Sequence, residues 1–338
     1  MIREAIEKVA ERIDLSEGEM RAVFEEMMSG KAAPMDIKAF LDGLRKKGET
    51  IAEITAAAKV MREKSARIDV GTDIVLDTCG TGGSGINAFN ISTTAAFVVA
   101  GCGVKVAKHG NRSASSQCGS ADVLEALGVK IDIAPELVAK CIHEAGIGFM
   151  FAPVFHAAMK HAAAPRKELG GKTIFNILGP LSNPAGAAYQ VMGVYNTKLT
   201  EIMAGVLKNL GSKRAFVVHG MDGLDEITVA DRTRVSELKS SGRIDTYDVK
   251  PEDFGLKKAR LEEIKGGSVK ENAEMVLEVL NRTATSAHRD IVLANASAGL
   301  VCANRSEDFK EGVKLAAESI DSGAALEKLN KLIEMTNR

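Results

Sequence analysis

Twice between Asp77 and Gly128 the chain passes from a short apolar run into a polar loop crowded with glycine and serine. No other feature of the 338 residues restricts the fold as much. Residues 74–76 lead into the first loop, Gly80-Thr81-Gly82-Gly83-Ser84-Gly85, and residues 104–107 lead into the second, Lys108 to Ser116. A strand that opens into a glycine loop and then a helix is half of a βαβ unit. The alternation continues downstream: residues 74–77, 105–107, 148–152, 190–195 and 215–219 have strand patterns, with helical patterns such as 134–145 and 199–210 between them. The expected class is α/β, with a mainly parallel central sheet and helices on both faces. Ligands in such sheets sit at the carboxyl ends of the strands. Each polar motif follows a strand, which puts all of them on one edge.

Residues 1–70 carry no strand signal. Ile2, Ile6, Val9 and Ile13 form one apolar stripe, and Ser16 with Glu19 and Thr50 with Glu53 match the capping-box pattern. Pro34 opens a helix, and Gly30 and Gly48 stand where helices should end. Four helices are expected here, a domain of 1–70 beside a larger α/β domain of 72–338. A helical segment from about 156 to 182 interrupts the alternation and is expected to return to the N-terminal helices. Residues 230–265 resemble an irregular β excursion, and the chain is mostly helical from Lys270 onward.

The glycine loop formally matches the dinucleotide fingerprint, but the match is weak. Its third glycine should lie inside a helix, yet Ile86-Asn87-Ala88-Phe89-Asn90 intervenes before a helix start near Ser92. The second strand should end in an acid for a ribose hydroxyl; it ends in Lys108-His109, which suits phosphate instead. Glycines let backbone amides approach an anion closely. In the second loop Lys108 offers a point charge, and His109 is either a structural hydrogen-bonding residue or a substrate contact. Gly119-Ser120-Ala121-Asp122 opens a helix, as an anion site, a cap by Ser120, or both. Asp225-Glu226 follows a glycine turn at a strand end, where two carboxylates suit Mg²⁺ better than they suit a solvated turn. Arg166 is either a surface arginine or the partner of a substrate carboxylate. Gly179-Pro180 and Asn183-Pro184 could wall a ring pocket.

Composition excludes several classes. The net charge of −1 favours neither nucleic acid nor an anionic membrane. No apolar run is long enough to span a bilayer, and the N-terminus lacks the apolar core of a signal peptide. Five cysteines, never spaced C-x-x-C, fit a reducing cytoplasm rather than a disulfide framework or a zinc site.

Taken together, GTGG followed by FNIST, then KHGNRSASSQCGSADVLEALG, FNILGPLSNPAG and VVHGMDGLDE, the chain resembles the anthranilate phosphoribosyltransferase family over essentially its whole length. The resemblance implies a helical domain beside an α/β domain of nucleoside-phosphorylase type. It implies transfer of a phosphoribosyl group from phosphoribosyl pyrophosphate to the amine of anthranilate, in tryptophan biosynthesis. It implies that Gly80, Gly82, Gly83, Ser84, Ala88, Asn90, Ile91, Ser92, Thr93, Lys108, Ser116 and Ser120 bind the phosphoribosyl donor. Gly80, His109, Asn111 and Arg166 would contact anthranilate, with His109 a candidate for a catalytic role. Ser92, Asp225 and Glu226 would bind two Mg²⁺ ions, and the chain would be a homodimer. Ser84 departs from the Asp usual in the family, Ala88 from a common Thr, and Lys172 from a frequent Arg. The rivals are a pyrimidine nucleoside phosphorylase-like enzyme, which the NPAG and DGLDE segments fit poorly, and a non-catalytic nucleic-acid-binding relative, which the charge disfavours.

Overall fold

The computed structural model describes residues 1–71, 74–113 and 117–338. The N-terminal helices are α1 (Ile2–Ala10), α2 (Glu17–Met28), α3 (Pro34–Lys47) and α4 (Ile51–Glu63). Both capping boxes form: the Ser16 hydroxyl accepts from the Glu19 amide and the Thr50 hydroxyl from the Glu53 amide, while each glutamate answers to the cap residue's N–H. Glu53 does more than cap. Fully buried, its carboxylate accepts from the Leu15 amide (2.9 Å), the Thr50 amide (2.8 Å) and Lys47 Nζ (2.9 Å), and so ties α3 and α4 to the α1–α2 turn.

The rest of the chain runs β1 (Val75–Gly80), α5 (Ile91–Gly101), β2 (Lys105–Gly110), α6 (Ser120–Ala126), α7 (Pro135–Glu144), β3 (Ile147–Phe151), α8 (Ala152–Phe155), α9 (Lys160–Leu169), α10 (Phe175–Leu181), β4 (Tyr189–Gly193), α11 (Leu199–Asn209), β5 (Arg214–Gly220), β6 (Thr233–Leu238), β7 (Ile244–Val249), α12 (Val269–Leu280), α13 (Ser286–Cys302), α14 (Phe309–Asp321) and α15 (Ala324–Thr336). One seven-stranded sheet has the order β3-β2-β1-β4-β5-β6-β7. The pairs from β3 to β5 are parallel; β6 and β7 add antiparallel. The segment expected to be an irregular β excursion therefore contains a regular edge hairpin. Its alternation is faint because β7, at the sheet edge, is half-buried along most of its length with no distinct inner and outer face.

The strands also run further than their apolar residues. β1 continues through Thr78-Cys79-Gly80 and β2 through Lys108-His109-Gly110. Backbone pairing in a parallel sheet does not need apolar side chains, and the polar tail of a strand is what reaches the crevice. The strand order reverses between β1 and β4: β2 and β3 are laid on one side of β1, and β4 and β5 on the other. That reversal opens the crevice at their carboxyl ends.

Two cores flank the sheet. One lies under α5, α13, α14 and α15 and includes Leu76, Val106, Phe216 and Ile291. The other joins the N-terminal helices to α9, α10, α11 and the opposite sheet face, through Phe24, Phe40, Ala162, Leu178, Met203 and Met192. Phe24 and Phe175 meet with ring centroids 5.8 Å apart, and Lys38 pairs with Glu168 across the same seam. Helices α9 and α10 therefore pack with the N-terminal bundle while their flanking loops reach the crevice.

Glu53→Ala would leave the Leu15 and Thr50 amides without an acceptor and remove the buried counter-ion of Lys47. The expected cost is about 3 kcal/mol of unfolding free energy in urea titrations. A loss below about 1 kcal/mol, that of an ordinary surface ion pair, would show that Glu53 does not tie the bundle together.

Candidate active site

The glycine loop is pinned at its start, at Thr81. The Thr81 amide donates to Gly193 O (2.9 Å), and the Tyr195 amide donates to the Thr81 hydroxyl (3.2 Å), which fastens the loop to β4. Gly82 and Gly83 then take φ values of +63° and +76°, where a side chain would be strained. This turn aims the Gly82 amide at Asp225, whose Oδ2 accepts it at 3.0 Å. Lys172, from the loop before α10, donates to Gly83 O (2.7 Å) and lies over the Tyr195 ring (3.5 Å to the centroid). The Ser84 hydroxyl bonds only locally, with Ile86.

Ala88 makes an antiparallel bridge with Lys265, and Asn90 occupies the cap position of α5. The helix expected to start near Ser92 starts at Ile91, and the Asn90 side chain does not cap it; its Nδ2 donates instead to Cys118 O (3.3 Å). The side chains of Ile91 and Thr93 are buried, so α5 offers the cleft its N-terminal turn and Ser92. That turn carries positive potential.

Below Ser92 lies Lys108. The second loop was read as holding this cation, but it belongs to β2 and is 3% exposed. Its Nζ donates to Thr78 O and reaches Ser92 Oγ (3.5 Å). Burial pushes its pKa down, opposed by the charges of Asp77 and Glu226 nearby. Asp225 and Glu226 sit above, in the turn after β5. Burial, and secondarily the Asp225 charge, pushes the Glu226 carboxyl up to about 8, against hydrogen bonds from Ser92. The turn is held by Asp222, whose carboxylate accepts from the Leu224 amide (3.2 Å) and the Thr228 hydroxyl (2.5 Å), and by Asn295 on α13, which bonds both Ile227 N (3.0 Å) and Ile227 O (2.8 Å). Gly193 is obligatory here: a Cβ on it would stand 1.6 Å from Asp225 O.

His109 and His156 lie side by side, ring centroids 5.0 Å apart. His109 Nδ1 is 3.2 Å from Gly179 O, an acceptor, so Nδ1 carries the proton and Nε2 is left with its lone pair, buried and without a hydrogen bond. Burial, then the neighbouring His156, lowers its pKa to about 3; burial lowers that of His156 to about 4. Both rings are neutral at physiological pH. Asn111 follows, exposed, and its carbonyl accepts from the Ser120 hydroxyl (3.3 Å) and the Ala121 amide (3.2 Å). Ser120 is the first residue of α6, not its cap; Gly119 holds that position, and Asp122 accepts its amide (2.9 Å). Arg112 lines the same polar cleft while paired with Asp122 (3.1 Å) and Glu125. Ser116 lies outside the described residues.

Arg166 occupies the last turn of α9, half-buried. Its guanidinium reaches Asn176 Oδ1 (3.3 Å) and lies 5.8 Å from the centre of the Phe175 ring. Burial lowers its pKa.

These residues line two joined cavities. A polar one of about 360 Å³ lies between the glycine loop, the α5 N-terminus, Ser120 and Asp225-Glu226. A more apolar one of about 820 Å³ runs from His109 and Asn111 past His156 to Met159 and Met61. His109, Asn111, Arg166, Asn176 and Gly179 belong to both. The arrangement can hold a polyanion beside a flat, singly anionic ring. Among the described residues no cluster of three or more His, Cys, Asp or Glu side chains is placed to ligate a metal, so a cation here would lean on few protein carboxylates. Likewise no helix is long and apolar enough to cross a membrane.

Several contributors escaped the sequence reading: His156, Asp222, Gln190, Asn272 and Asn295. A polar amide inside an otherwise apolar helix, as in VLANASAGL, was the available signal for the last.

Two family models match, the glycosyl transferase family a/b domain over residues 72–326 and the helical bundle domain of the same family over residues 3–65. The chain is 55% identical to an anthranilate phosphoribosyltransferase of Geotalea uraniireducens and 54% to one of Geobacter sulfurreducens, over all of both chains in each case. Among solved structures it is similar to anthranilate phosphoribosyltransferase from Thermus thermophilus (43% identity, TM-score 0.93, 99% of each chain). It is also similar to the Saccharomyces cerevisiae enzyme in complex with PRPP and Mg (30%, TM-score 0.92, 99% of this chain and 98% of that one).

Glu226 carries a pH signature. Between the ordinary 4.5 and about 8 the unfolded chain has released a proton that the folded carboxyl keeps, so without metal this group costs stability as pH rises through that window. Glu226→Gln removes the cost. Its Tm relative to the parent, in chelator, should climb by several degrees from pH 5 to pH 8; a difference independent of pH would disprove the buried-carboxyl assignment.

Proposed function

The chain belongs to the anthranilate phosphoribosyltransferase family, and on that premise we propose how its cleft joins the phosphoribosyl group of phosphoribosyl pyrophosphate to the amine of anthranilate, releasing pyrophosphate. The reading is carried by the two joined cavities, one polar and one apolar, which meet at His109, Asn111 and Arg166.

The donor occupies the polar cavity. Its phosphates meet Gly82 and Gly83, the first turn of α5 at Ser92 and Thr93, and Ser120. Asn90 and Gly80 flank it; Ala88 and Ile91 hold the walls; Ser84 offers a hydroxyl. Lys108, beneath Ser92, contributes charge from below rather than a direct loop contact. The oxygen donors of Asp225, Glu226 and Ser92 fit Mg²⁺, which takes few carboxylates and completes its shell with water and phosphate. The raised Glu226 carboxyl speaks for this: two adjacent carboxylates, half-buried, lack a full counter-charge. Two ions are proposed. Mg²⁺ held there would neutralise charge developing on the departing pyrophosphate. In the protein alone, the Gly82 amide and the Asp225 carboxylate satisfy each other; donor phosphate and metal compete for both partners, so each eases binding of the other.

Anthranilate enters from the apolar cavity. Arg166 pairs with its carboxylate, and Asn111 and the Gly179-Pro180 end of α10, a helix where the sequence suggests a turn, bound the ring. The aromatic amine is a free base at neutral pH, so no strong base is required. His109 lines the place where the two cavities meet, a neutral ring against which the amine is set for its approach to the anomeric carbon. A ring with a pKa of about 3 orients the amine without retaining a proton. The absence of any disulfide among the five cysteines supports a cytoplasmic setting. A homodimer through the N-terminal helices is proposed from the family resemblance, testable by sedimentation equilibrium.

Loss of anthranilate fluorescence with phosphoribosyl pyrophosphate and Mg²⁺ tests the whole reading; an unchanged signal rejects it. Arg166→Ala should raise the anthranilate KM at least tenfold while changing that of the donor less than threefold. Equal effects on both would sink the anchor.

A further inference from the structure

We propose that Asn272, on α12, is a positioning residue for the phosphoribosyl donor: together with the Cys118 carbonyl it fixes which end of the Asn90 amide faces the cleft. This rests on the reading of the polar cavity as the donor site. A primary amide can sit either way round in its socket, with its oxygen or its nitrogen presented to a ligand, and the neighbours decide. Asn272 is completely buried. Its Oδ1 accepts from the Gly267 amide (2.8 Å), and its Nδ2 donates to Asn90 Oδ1 (3.1 Å). Asn90 Nδ2 in turn donates to Cys118 O (3.3 Å).

The direction of this chain of hydrogen bonds is set at both ends: the Cys118 carbonyl can only accept, which calls for the Asn90 nitrogen, and the Gly267 amide fixes Asn272. A backbone N–H can only donate. Asn272 must therefore turn its oxygen to Gly267 and its nitrogen to Asn90. Asn90 must answer with its oxygen, which leaves the second N–H of its amide free to point into the cavity it lines. An N–H donor suits phosphate oxygens, which only accept; the flipped amide would present a carbonyl oxygen and repel them. The socket itself is rigid. Gly266 N donates to Asn87 O (2.7 Å), Asn87 Nδ2 returns to Gly266 O (3.2 Å), and Ala88 bridges to Lys265, so the loop before α12 is strapped to the segment before Asn90.

The isosteric Asn272→Asp tests the inference. A carboxylate still accepts from Gly267 but can no longer donate to Asn90; its oxygen repels Asn90 Oδ1, and the Asn90 amide loses its fixed orientation. The donor KM, and its Kd by calorimetry in Mg²⁺, should rise tenfold or more, the worth of one hydrogen bond to a charged group, while the anthranilate KM stays within about threefold. Asn90→Ala should raise the donor KM by itself, and Asn272→Asp placed on that background should add nothing. If burying the carboxylate prevents folding, Asn272→Leu releases Asn90 without adding charge, and a several-fold rise in donor KM is expected. Parallel rises in both KM values, or a donor KM unchanged in Asn272→Asp or the folded Leu variant while Asn90→Ala raises it, overturn the positioning role alone. An unchanged donor KM in Asn90→Ala overturns the contact and the inference together.

Discussion

Asp225 crosses the sheet where its strand order reverses, and the cleft depends on that crossing. Its carbonyl passes over Gly193 so closely that no side chain fits there, and its carboxylate takes the Gly82 amide at 3.0 Å. One residue thus joins the loop after β5 to the loop after β1, through the end of β4. The reversal of strand order creates the crevice. The bare glycine at the end of β4 lets the carboxylate turn lie down into it. Asp222 and Asn295 keep that turn from moving, and the polar cavity takes its shape from the result.

Beneath the cleft the protein carries an unusual amount of buried polarity. Asp77 is fully buried on β1, where its carboxylate accepts from the His109 amide (3.2 Å) and from Gln190 (3.4 Å). Gln190 also donates to Pro180 O (2.6 Å), and Asn183 donates to Ala107 O (2.9 Å). These bonds fix the Gly179–Asn183 segment, which in turn holds His109 Nδ1. Unsatisfied, such groups would be costly in a low-dielectric interior; satisfied, they hold one arrangement. The neutral imidazoles follow from the same burial, which excludes a charged ring more strongly than the Gly179 carbonyl favours one.

Much of the architecture was legible locally. Pro34, the capping boxes at Ser16 and Thr50, and the strand-to-glycine-loop transitions each need only a few neighbouring residues to act, so they can be read in order. The regular hairpin at β6 and β7 was obscure because β6 is buried on both faces and β7 is half-buried throughout, so neither strand alternates. The polar ends of β1 and β2 were obscure because pairing there does not depend on hydrophobicity. The cation of Lys108 was visible but not its direction: it turns under α5 because Thr78 O and Ser92 Oγ wait there.

The sequence by itself determined the inventory: an anion-binding glycine loop, a carboxylate pair at a strand end, an arginine among small residues, and a helical unit joined to an α/β one. Turn chemistry and side-chain periodicity are local properties, so order along the chain sufficed for these. Only the tertiary structure decided which polar groups meet. It paired Arg112 with α6, set Asp225 against Gly82, and brought Asn272 from α12 to Asn90, far apart in sequence. Such pairings follow from strand order and helix packing, and a hydrogen bond has no range along the chain by which it could be foreseen.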